Sequence, residues 1–241
     1  MLNILLIGYG RMGREVAKEA TLRGHNIVAV IDSEADWSSN AAAIESADMA
    51  IDFSLPDLAV HNIVRCFGLG LPVVVGTTAW YARLDEVSDL CIEGNHSLFY
   101  APNFSLGMNI VFRLNKQLAG LVNNTDYQLS ISETHHIHKI DAPSGTAIQL
   151  ANQLVERIDR YAGWTKESSQ HNDLLPVTSL RTGEVPGTHE VIAESTQDTI
   201  RLVHEAKGRQ GFALGAVLAA EFLSGRKGIF NMDQLLDTLV G

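Results

Sequence analysis

Short apolar runs alternate with helix-like patterns through the first hundred residues. Runs rich in Val, Ile and Leu are typical of strands that are buried on both faces of a parallel sheet. They occupy residues 3–7, 26–31, 49–53, 71–75 and 97–100. Between them, apolar side chains recur at helical spacing, most clearly over residues 11–23 and 57–67. This alternation predicts an α/β domain with a Rossmann-like parallel sheet.

The pattern changes after residue 105. Tyr127, Leu129 and Ile131 alternate with polar residues, which predicts a strand with one buried face. Further strands are predicted at 179–182, 188–194 and 199–205, helices at 106–121, 145–158 and 212–223, and a loop at 160–178. We therefore expect a smaller α+β domain with a mixed open sheet. The predicted division is 1–105 with 212–241 for the dinucleotide-binding domain, and 106–211 for the second domain.

Composition narrows the range of partners. The chain has 241 residues and a formal net charge of −10, which is a poor match for nucleic acid or an anionic membrane. No apolar run approaches the roughly 18 residues of a membrane span. Cys66 and Cys91 lie in apolar contexts and are expected to be free thiols. With no signal peptide expected, these features predict a cytoplasmic protein that acts on a small molecule.

A glycine-rich turn follows the first predicted strand. The turn consists of Gly8, Tyr9, Gly10, Arg11, Met12 and Gly13, which satisfies G-x-G-x-x-G between a strand and a helix. Asp32 ends the next strand, 19 residues after Gly13, where a carboxylate that binds the ribose is expected. The pattern predicts dinucleotide binding, and Asp32 favours NADH over NADPH because a carboxylate repels a 2′-phosphate. Arg11 is a nearby cation that would soften this preference.

Polar and small residues follow three other strands of the predicted parallel sheet. Ligands of such sheets bind beyond the carboxyl ends of the strands. Residues 52–54 (D-F-S) occupy one such end. We also predict cofactor contacts from Gly76, Thr77 and Thr78, and from Ala101, Pro102, Asn103 and Phe104.

Residues 133–147 (E-T-H-H-I-H-K-I-D-A-P-S-G-T-A) concentrate groups that transfer protons and bind anions. Three histidines and a lysine precede a P-S-G-T turn, and this turn opens a predicted helix whose first amides favour an anion. A metal site is the rival interpretation, because His135, His136 and His138 offer imidazoles and Glu133 a carboxylate. Adjacent histidines on an extended segment point apart, however, and Lys139 would repel a cation, so we expect no metal. Arg181 and His189, in R-T-G-E-V-P-G-T-H, are further candidates to reach a substrate carboxylate.

Nearly the whole chain resembles the dihydrodipicolinate reductase family, also called 4-hydroxy-tetrahydrodipicolinate reductases, of bacterial lysine and diaminopimelate biosynthesis. The resemblance rests on G-Y-G-R-M-G, D-F-S, G-T-T, A-P-N-F-S-L-G, the 133–147 segment, R-T-G-E-V-P-G-T-H-E-V and the F-A-L-G-A helix. It implies NAD(P)H-dependent reduction of 4-hydroxy-tetrahydrodipicolinate, by way of dihydrodipicolinate, to tetrahydrodipicolinate. A different two-domain NAD(P)H-dependent dehydrogenase of amino-acid metabolism is the alternative.

The resemblance also implies residue roles. His135 and Lys139 would be the proton donors, while His136, Ser144, Gly145 and Thr146 would bind substrate carboxylate. It further implies that residues 106–211 form the substrate-binding and oligomerisation domain, with a homotetramer built through that domain's sheet. Glu205 stands where the family commonly has Arg, which puts a cation's role at that position in question, although Arg209 remains.

Overall fold

The computed structural model describes residues 1–166 and 172–239 of the chain. They divide into two compact units. One unit comprises Met1–Leu106 with Arg209–Gly241, and the other comprises Gly107–Gly208. The first unit is therefore discontinuous along the chain, and the second is inserted into it.

The first unit is built on a six-stranded sheet whose registered strand pairs are all parallel. The strand order is β11-β5-β4-β3-β1-β2. The strands are β1 (Asn3–Ile7), β2 (Asn26–Ile31), β3 (Met49–Asp52), β4 (Val73–Val75), β5 (Ser97–Tyr100) and β11 (Gly228–Phe230). The helices are α1 (Arg11–Leu22), α2 (Glu34–Ser39), α3 (Ala41–Ile44), α4 (Pro56–Gly68), α5 (Leu84–Glu93), α8 (Gln210–Leu223) and α9 (Met232–Asp237).

Both faces of this sheet are buried. Leu5 and Ile7 belong to one apolar core, whereas Ile4 and Leu6 belong to another. Alternate residues of a strand point to opposite faces, so the continuous apolar run of β1 supplies both cores. The second core also contains Ala213, Ala216 and Ala220 of α8, a helix far along the chain from β1. The predicted Rossmann-like architecture is confirmed.

The second unit contains a five-stranded sheet of order β10-β9-β6-β8-β7. The strands are β6 (Gln128–His135), β7 (Gly163–Thr165), β8 (Leu174–Arg181), β9 (Thr188–Glu194) and β10 (Thr199–Glu205). Strand β6 pairs in parallel with β8 and antiparallel with β9, so the predicted mixed sheet is confirmed. One apolar core joins the sheet to helices α6 (Leu106–Val122) and α7 (Gly145–Val155).

Several elements of the described residues were not predicted from the sequence, among them helices α2, α3, α5 and α9 and parts of both sheets. The predicted loop at 160–178 contains β7 and the first half of β8, while 167–171 of that loop lie outside the described residues. The first half of β8 was missed because Pro176 interrupts its apolar alternation, and proline is tolerated next to a short edge strand such as β7. Strand β11 was missed because three residues are too few to show a period. No helix of the described residues is long and apolar enough to cross a membrane.

Candidate active site

The glycine turn between β1 and α1 is packed tightly at two of its three glycines. Gly8 has a positive φ of 87°, and a Cβ there would lie 2.4 Å from the carbonyl oxygen of Phe53. A Cβ on Gly13 would lie 2.1 Å from the carbonyl oxygen of Gly8. Gly10, by contrast, has no atom within 4 Å of its Cβ position. The turn is thus closed on the protein side and open where a pyrophosphate would approach the backbone.

Asp32 lies at the end of β2, beside this turn. Its Oδ1 accepts a hydrogen bond from the Tyr9 amide at 2.8 Å, so the carboxylate is held against the glycine turn. Asp36 adds a second carboxylate, which accepts from the Asp32 amide at 3.0 Å. Arg11 and Met12 are the first residues of α1, directly after Gly10.

A cavity of about 420 Å³ brings together three of the predicted cofactor residues, Gly8, Gly10 and Asp32. Its wall also contains residues that the glycine motif does not reveal, namely Ser33, Glu34, Trp37, Phe53, Ser54, Leu55, Leu58, His61 and Asn62. Leu55 and Leu58 are exposed apolar side chains, a type suited to one face of an adenine ring. The open position at Gly10 and the carboxylate of Asp32 beside it fit one end of a dinucleotide.

The loops after β3 and β4 are tied together by a buried carboxylate. Asp52 Oδ1 accepts from Thr77 Oγ1 at 2.6 Å and from the Ser54 amide at 2.9 Å, while Oδ2 accepts from Asn62 at 2.9 Å. Burial raises the pKa of Asp52 despite these donors. Thr77 therefore uses its hydroxyl within the protein, and the amides of Gly76 and Thr77 also donate to the Asp52 carbonyl oxygen, at 2.8 and 3.3 Å, so the end of β3 holds this turn in place.

The predicted residues after β5 pack in the same unit. Ala101 and Phe104 are buried, and the Phe104 ring meets that of Phe53 edge to face at a centroid distance of 5.8 Å. Pro102 is exposed between them, and Asn103 Oδ1 accepts from the Ser105 amide at 2.9 Å. These residues and the Gly76–Thr78 turn follow neighbouring strands of one sheet, but they do not line the cavity that contains Asp32.

In the second unit, the buried side chains along one face of strand β6 change from apolar to polar. Leu129 and Ile131 are buried in the apolar core, and Glu133 and His135 continue the same alternation as buried residues. The paired positions on the neighbouring strands are His189, opposite Glu133, and Arg181, opposite His135. The core-facing side of the sheet therefore passes directly into a polar cluster at the end of β6.

We call the side chains of Glu133, His135, Ser144, Arg181 and His189 the Glu133 cluster. The Glu133 carboxylate accepts from His135 Nδ1 through Oε2, and through Oε1 from Arg181 at 2.9 Å and the Ser144 amide at 3.3 Å. Ser144 Oγ lies 3.1 Å from His189 Nε2 and accepts from the Ala147 amide, which caps α7. The cluster thus connects three strands to the start of a helix.

The protonation states in this cluster follow from burial and neighbouring charges. Burial raises the pKa of Glu133, but hydrogen bonds led by that from Arg181 outweigh it and hold the pKa below its ordinary value. Burial lowers the pKa of His135, against the opposing effect of Glu133. Burial, helped by the charge of His135, lowers the pKa of His189 to about 4, so His189 is neutral at pH 7. Glu133 is the anion of the cluster.

The remaining predicted residues lie on the segment between β6 and α7. Lys139 Nζ forms an ion pair with Asp141 at 2.8 Å, and Arg181 donates to the carbonyl oxygens of both residues, at 3.3 and 2.6 Å. His138 is exposed and lies 3.4 Å from Glu184, whereas His136 is half-buried. Gly145 and Thr146 begin α7, and Gly145 is exposed with open space at its Cβ position. Arg181 and His189 both form hydrogen bonds within the Glu133 cluster, whereas the sequence pattern suggested that they contact a substrate carboxylate.

A metal ion is not needed to explain this geometry. Ligand atoms of Glu133, His135 and His189 lie within 4.8 Å of one another, a set that shares Glu133 and His135 with the candidate ligands of the 133–147 segment and adds His189. The carboxylate is already bound to His135, and the Arg181 guanidinium at 2.9 Å would repel a cation. The donor set is better explained as a proton-holding cluster than as a cation site.

The chain combines a Rossmann-like unit that has an open glycine turn with a second unit that carries the Glu133 cluster and Lys139 near the start of a helix. This combination is typical of an NAD(P)H-dependent oxidoreductase. Family models described as dihydrodipicolinate reductase, N-terminus and C-terminus, match residues 2–104 and 107–236. The chain belongs to the dihydrodipicolinate reductase family, which confirms the family predicted from the sequence motifs.

Individual relatives agree. The 4-hydroxy-tetrahydrodipicolinate reductase of Christiangramia forsetii is 43% identical over 239 residues, which is 99% of each chain. The enzyme of the same name from Methanopyrus kandleri is 34% identical over 238 residues, 96% of this chain and 80% of the relative. A dipicolinate-bound dihydrodipicolinate reductase from Paenisporosarcina sp. TG-14 has the same fold, with a TM-score of 0.80 at 21% identity over 96% of this chain and 98% of that one.

Proposed function

We propose that this protein catalyses the NAD(P)H-dependent reduction of 4-hydroxy-tetrahydrodipicolinate to tetrahydrodipicolinate, in lysine and diaminopimelate biosynthesis. The substrate loses water to give dihydrodipicolinate, a cyclic imine diacid. One hydride and one proton are then added across its conjugated double bonds, and the nicotinamide leaves oxidised. A bound nicotinamide supplies the hydride, and the protein must bind the diacid and supply the proton.

The observation that supports this function best is the link between His135 and the start of α7. Glu133 contacts His135 with one oxygen and the Ser144 amide with the other. A proton donor and a helix N-terminus, where backbone amides favour an anion, are therefore held by one carboxylate. A ring diacid needs both features close together.

The chain's own residues divide the work as follows. His135 delivers the proton, a contribution of typically ~10²–10⁴-fold in rate. Lys139 acts as a second proton donor and as a positive charge that attracts a substrate carboxylate. Its ammonium lies 2.8 Å from Asp141 and would turn from this partner to the substrate. His136, Gly145 and Thr146 bind the carboxylate at the start of α7, and Ser144, whose amide and hydroxyl bond within the cluster, holds that turn in place. The glycine turn and the loops after β4 and β5 hold the cofactor.

The cofactor preference follows from charge. Asp32 lies beside the glycine turn, and Glu34 contributes a second acidic side chain to the same cavity. A ribose with free hydroxyls can donate to Asp32, whereas a 2′-phosphate would meet negative charge. NADH is therefore the preferred donor, and the ratio of kcat/KM for NADH to that for NADPH measures the preference.

The function is tested by a coupled assay. Pyruvate, aspartate semialdehyde and the synthase that condenses them generate the substrate in place, and the loss of nicotinamide absorbance on adding this protein is followed. Absorbance loss that requires all components supports the function. Absence of turnover, with turnover of another amino acid or semialdehyde in a parallel panel, would establish the alternative dehydrogenase.

The assembly and location belong to the same proposal. Leu180 and Val203 are about half exposed on the second unit's sheet, at 50% and 49%. Each lies out of phase with core residues of its strand, so both face away from the core. We expect this face to join subunits in a homotetramer, which light scattering would measure. The buried free thiols of Cys66 and Cys91 suit a reducing cytoplasm.

A further inference from the structure

Glu133 is a fully buried carboxylate that the proposed reaction does not use directly. Its side chain is 0% exposed, two residues before His135 on the same face of β6. A buried carboxylate costs folding free energy unless its oxygens are satisfied. Here Oε2 faces His135 Nδ1, while Oε1 accepts from Arg181 and from the Ser144 amide. Each oxygen therefore serves a different part of the site.

The contact with Glu133 determines which nitrogen of His135 bears hydrogen. An ionised carboxylate only accepts hydrogen bonds, so the nitrogen facing it, Nδ1, must be the donor. The other nitrogen, Nε2, lies on the side of Gly187, where an added Cβ would be only 2.9 Å away. Because residue 187 is glycine, Nε2 keeps a small open space. His135 is thus presented to a ligand through Nε2 alone.

Several charged groups surround His135 from neighbouring elements. Lys139, on the segment after β6, and Arg181 of β8 disfavour its protonated form, while Asp141 pairs with Lys139. His189 of β9 meets the His135 ring edge to face at 5.1 Å and is neutral at pH 7. On the start of α7, Ser144 is polar but not titratable in this range. Glu133 is consequently the group that favours a protonated His135.

We propose that Glu133 is a positioning residue of the reductase: it holds His135 with Nδ1 as donor and Nε2 available, stabilises the imidazolium, and fixes the start of α7 through the Ser144 amide. This inference rests on the proposed role of His135 as proton donor. It assigns to one carboxylate the alignment of the proton donor with the carboxylate-binding turn. Arg181 in turn holds Glu133 and the backbone of the segment that bears Lys139.

The decisive variant is Glu133→Gln, which keeps the shape and removes the charge. We expect kcat to fall on the order of 10- to 100-fold, by analogy with carboxylates that orient metal-binding histidines. Because His135 must be protonated to act, activity falls as pH rises through its pKa. Loss of the anion lowers that pKa, so the falling limb of the pH profile moves to lower pH, a shift that mere structural damage would not cause. Glu133→Asp should recover part of kcat.

The link can also be measured without turnover. Histidine labelled with ¹⁵N and ¹³C is incorporated, and the His135 signals are assigned by their loss in His135→Gln. Wild-type protein should show the Nδ1–H form of neutral His135, and Glu133→Gln should titrate at lower pH. Glu190→Gln is the matched control, because Glu190 is a sheet carboxylate that bonds Arg201 at 3.0 Å instead.

The outcomes separate the two proposals. If wild-type protein does not reduce the substrate, the proposed function fails, while the NMR titration still tests the Glu133–His135 link. If wild-type protein is active but His135 titrates alike in wild type and Glu133→Gln, the positioning role is overturned. Should Glu133→Gln not fold, the tautomer of wild-type His135 decides, and an Nε2–H form would contradict the inference.

Discussion

The candidate cofactor region of the first unit and the Glu133 cluster of the second are built in opposite ways. The first is made largely of backbone: a glycine turn, strand ends, and a cavity whose glycines leave room for a ligand. The second is made of side chains from β6, β8, β9 and the N-cap of α7 that hydrogen-bond to one another. Added atoms should therefore damage the first region, whereas removed functional groups should damage the second.

The largest effect is expected at His135. His135→Gln should lower kcat by ~10²–10⁴-fold, because the proposed proton donor is removed, while NADH binding by fluorescence titration stays within error of wild type. His138→Gln is the matched control, because His138 is exposed, lies outside the Glu133 cluster and pairs with Glu184 at 3.4 Å. Equal losses in both variants would show that the cluster's geometry does not select His135.

Two alanine substitutions in one turn sharpen the contrast. Gly13→Ala places a Cβ 2.1 Å from the Gly8 carbonyl oxygen and should cost about 1–3 kcal/mol of unfolding free energy. Gly10→Ala meets no protein atom within 4 Å, so Tm should hold while NADH affinity falls. Denaturation and NADH titration of both variants measure this. Unchanged NADH affinity in Gly10→Ala would place the pyrophosphate elsewhere.

A smaller effect is expected from Asp32→Ala. Losing a charged acceptor for the ribose hydroxyls should lower the NADH to NADPH ratio of kcat/KM by roughly tenfold, which corresponds to about 1.4 kcal/mol. Glu45→Gln, an exposed carboxylate outside the cavity, controls for general charge. A ratio that responds equally to both variants would mean that net charge, and not contact with Asp32, sets the preference.

The smallest effect concerns an ion pair that joins distant parts of the first unit. Arg23 and His25 both lie 2.8 Å from Glu221 on α8. Hydrogen bonding from Arg23 lowers the pKa of Glu221, so its stabilisation is present above the unfolded pKa of about 4.3 and is lost as pH falls. Glu221→Gln should cost about 0.5–1 kcal/mol near pH 7, since solvent screens the pair. Urea unfolding at neutral and acidic pH should show this difference shrink.

The same contrast explains what the sequence could predict. The glycine turn and Asp32 are recognisable because a backbone site needs particular residues at fixed local spacing. The Glu133 cluster is non-local: Arg181 lies 48 positions from Glu133, and only strand pairing brings them together. A signal did exist, since Glu133 and His135 continue the alternation of Leu129 and Ile131. The alternation indicated that both side chains are buried. Their hydrogen-bond partners, however, depend on how β6 pairs with β8 and β9.

The insertion of one unit into the other has a consequence for biosynthesis. Residues 1–106 lack α8, whose alanines fill one core of the first sheet, and β11, which pairs with β5 at its edge. The ribosome therefore synthesises the whole second unit before the residues that complete the sheet and core of the first unit are available. We expect a fragment ending near residue 106 to be digested rapidly by protease, whereas residues 107–208 contain all the strands of their own sheet.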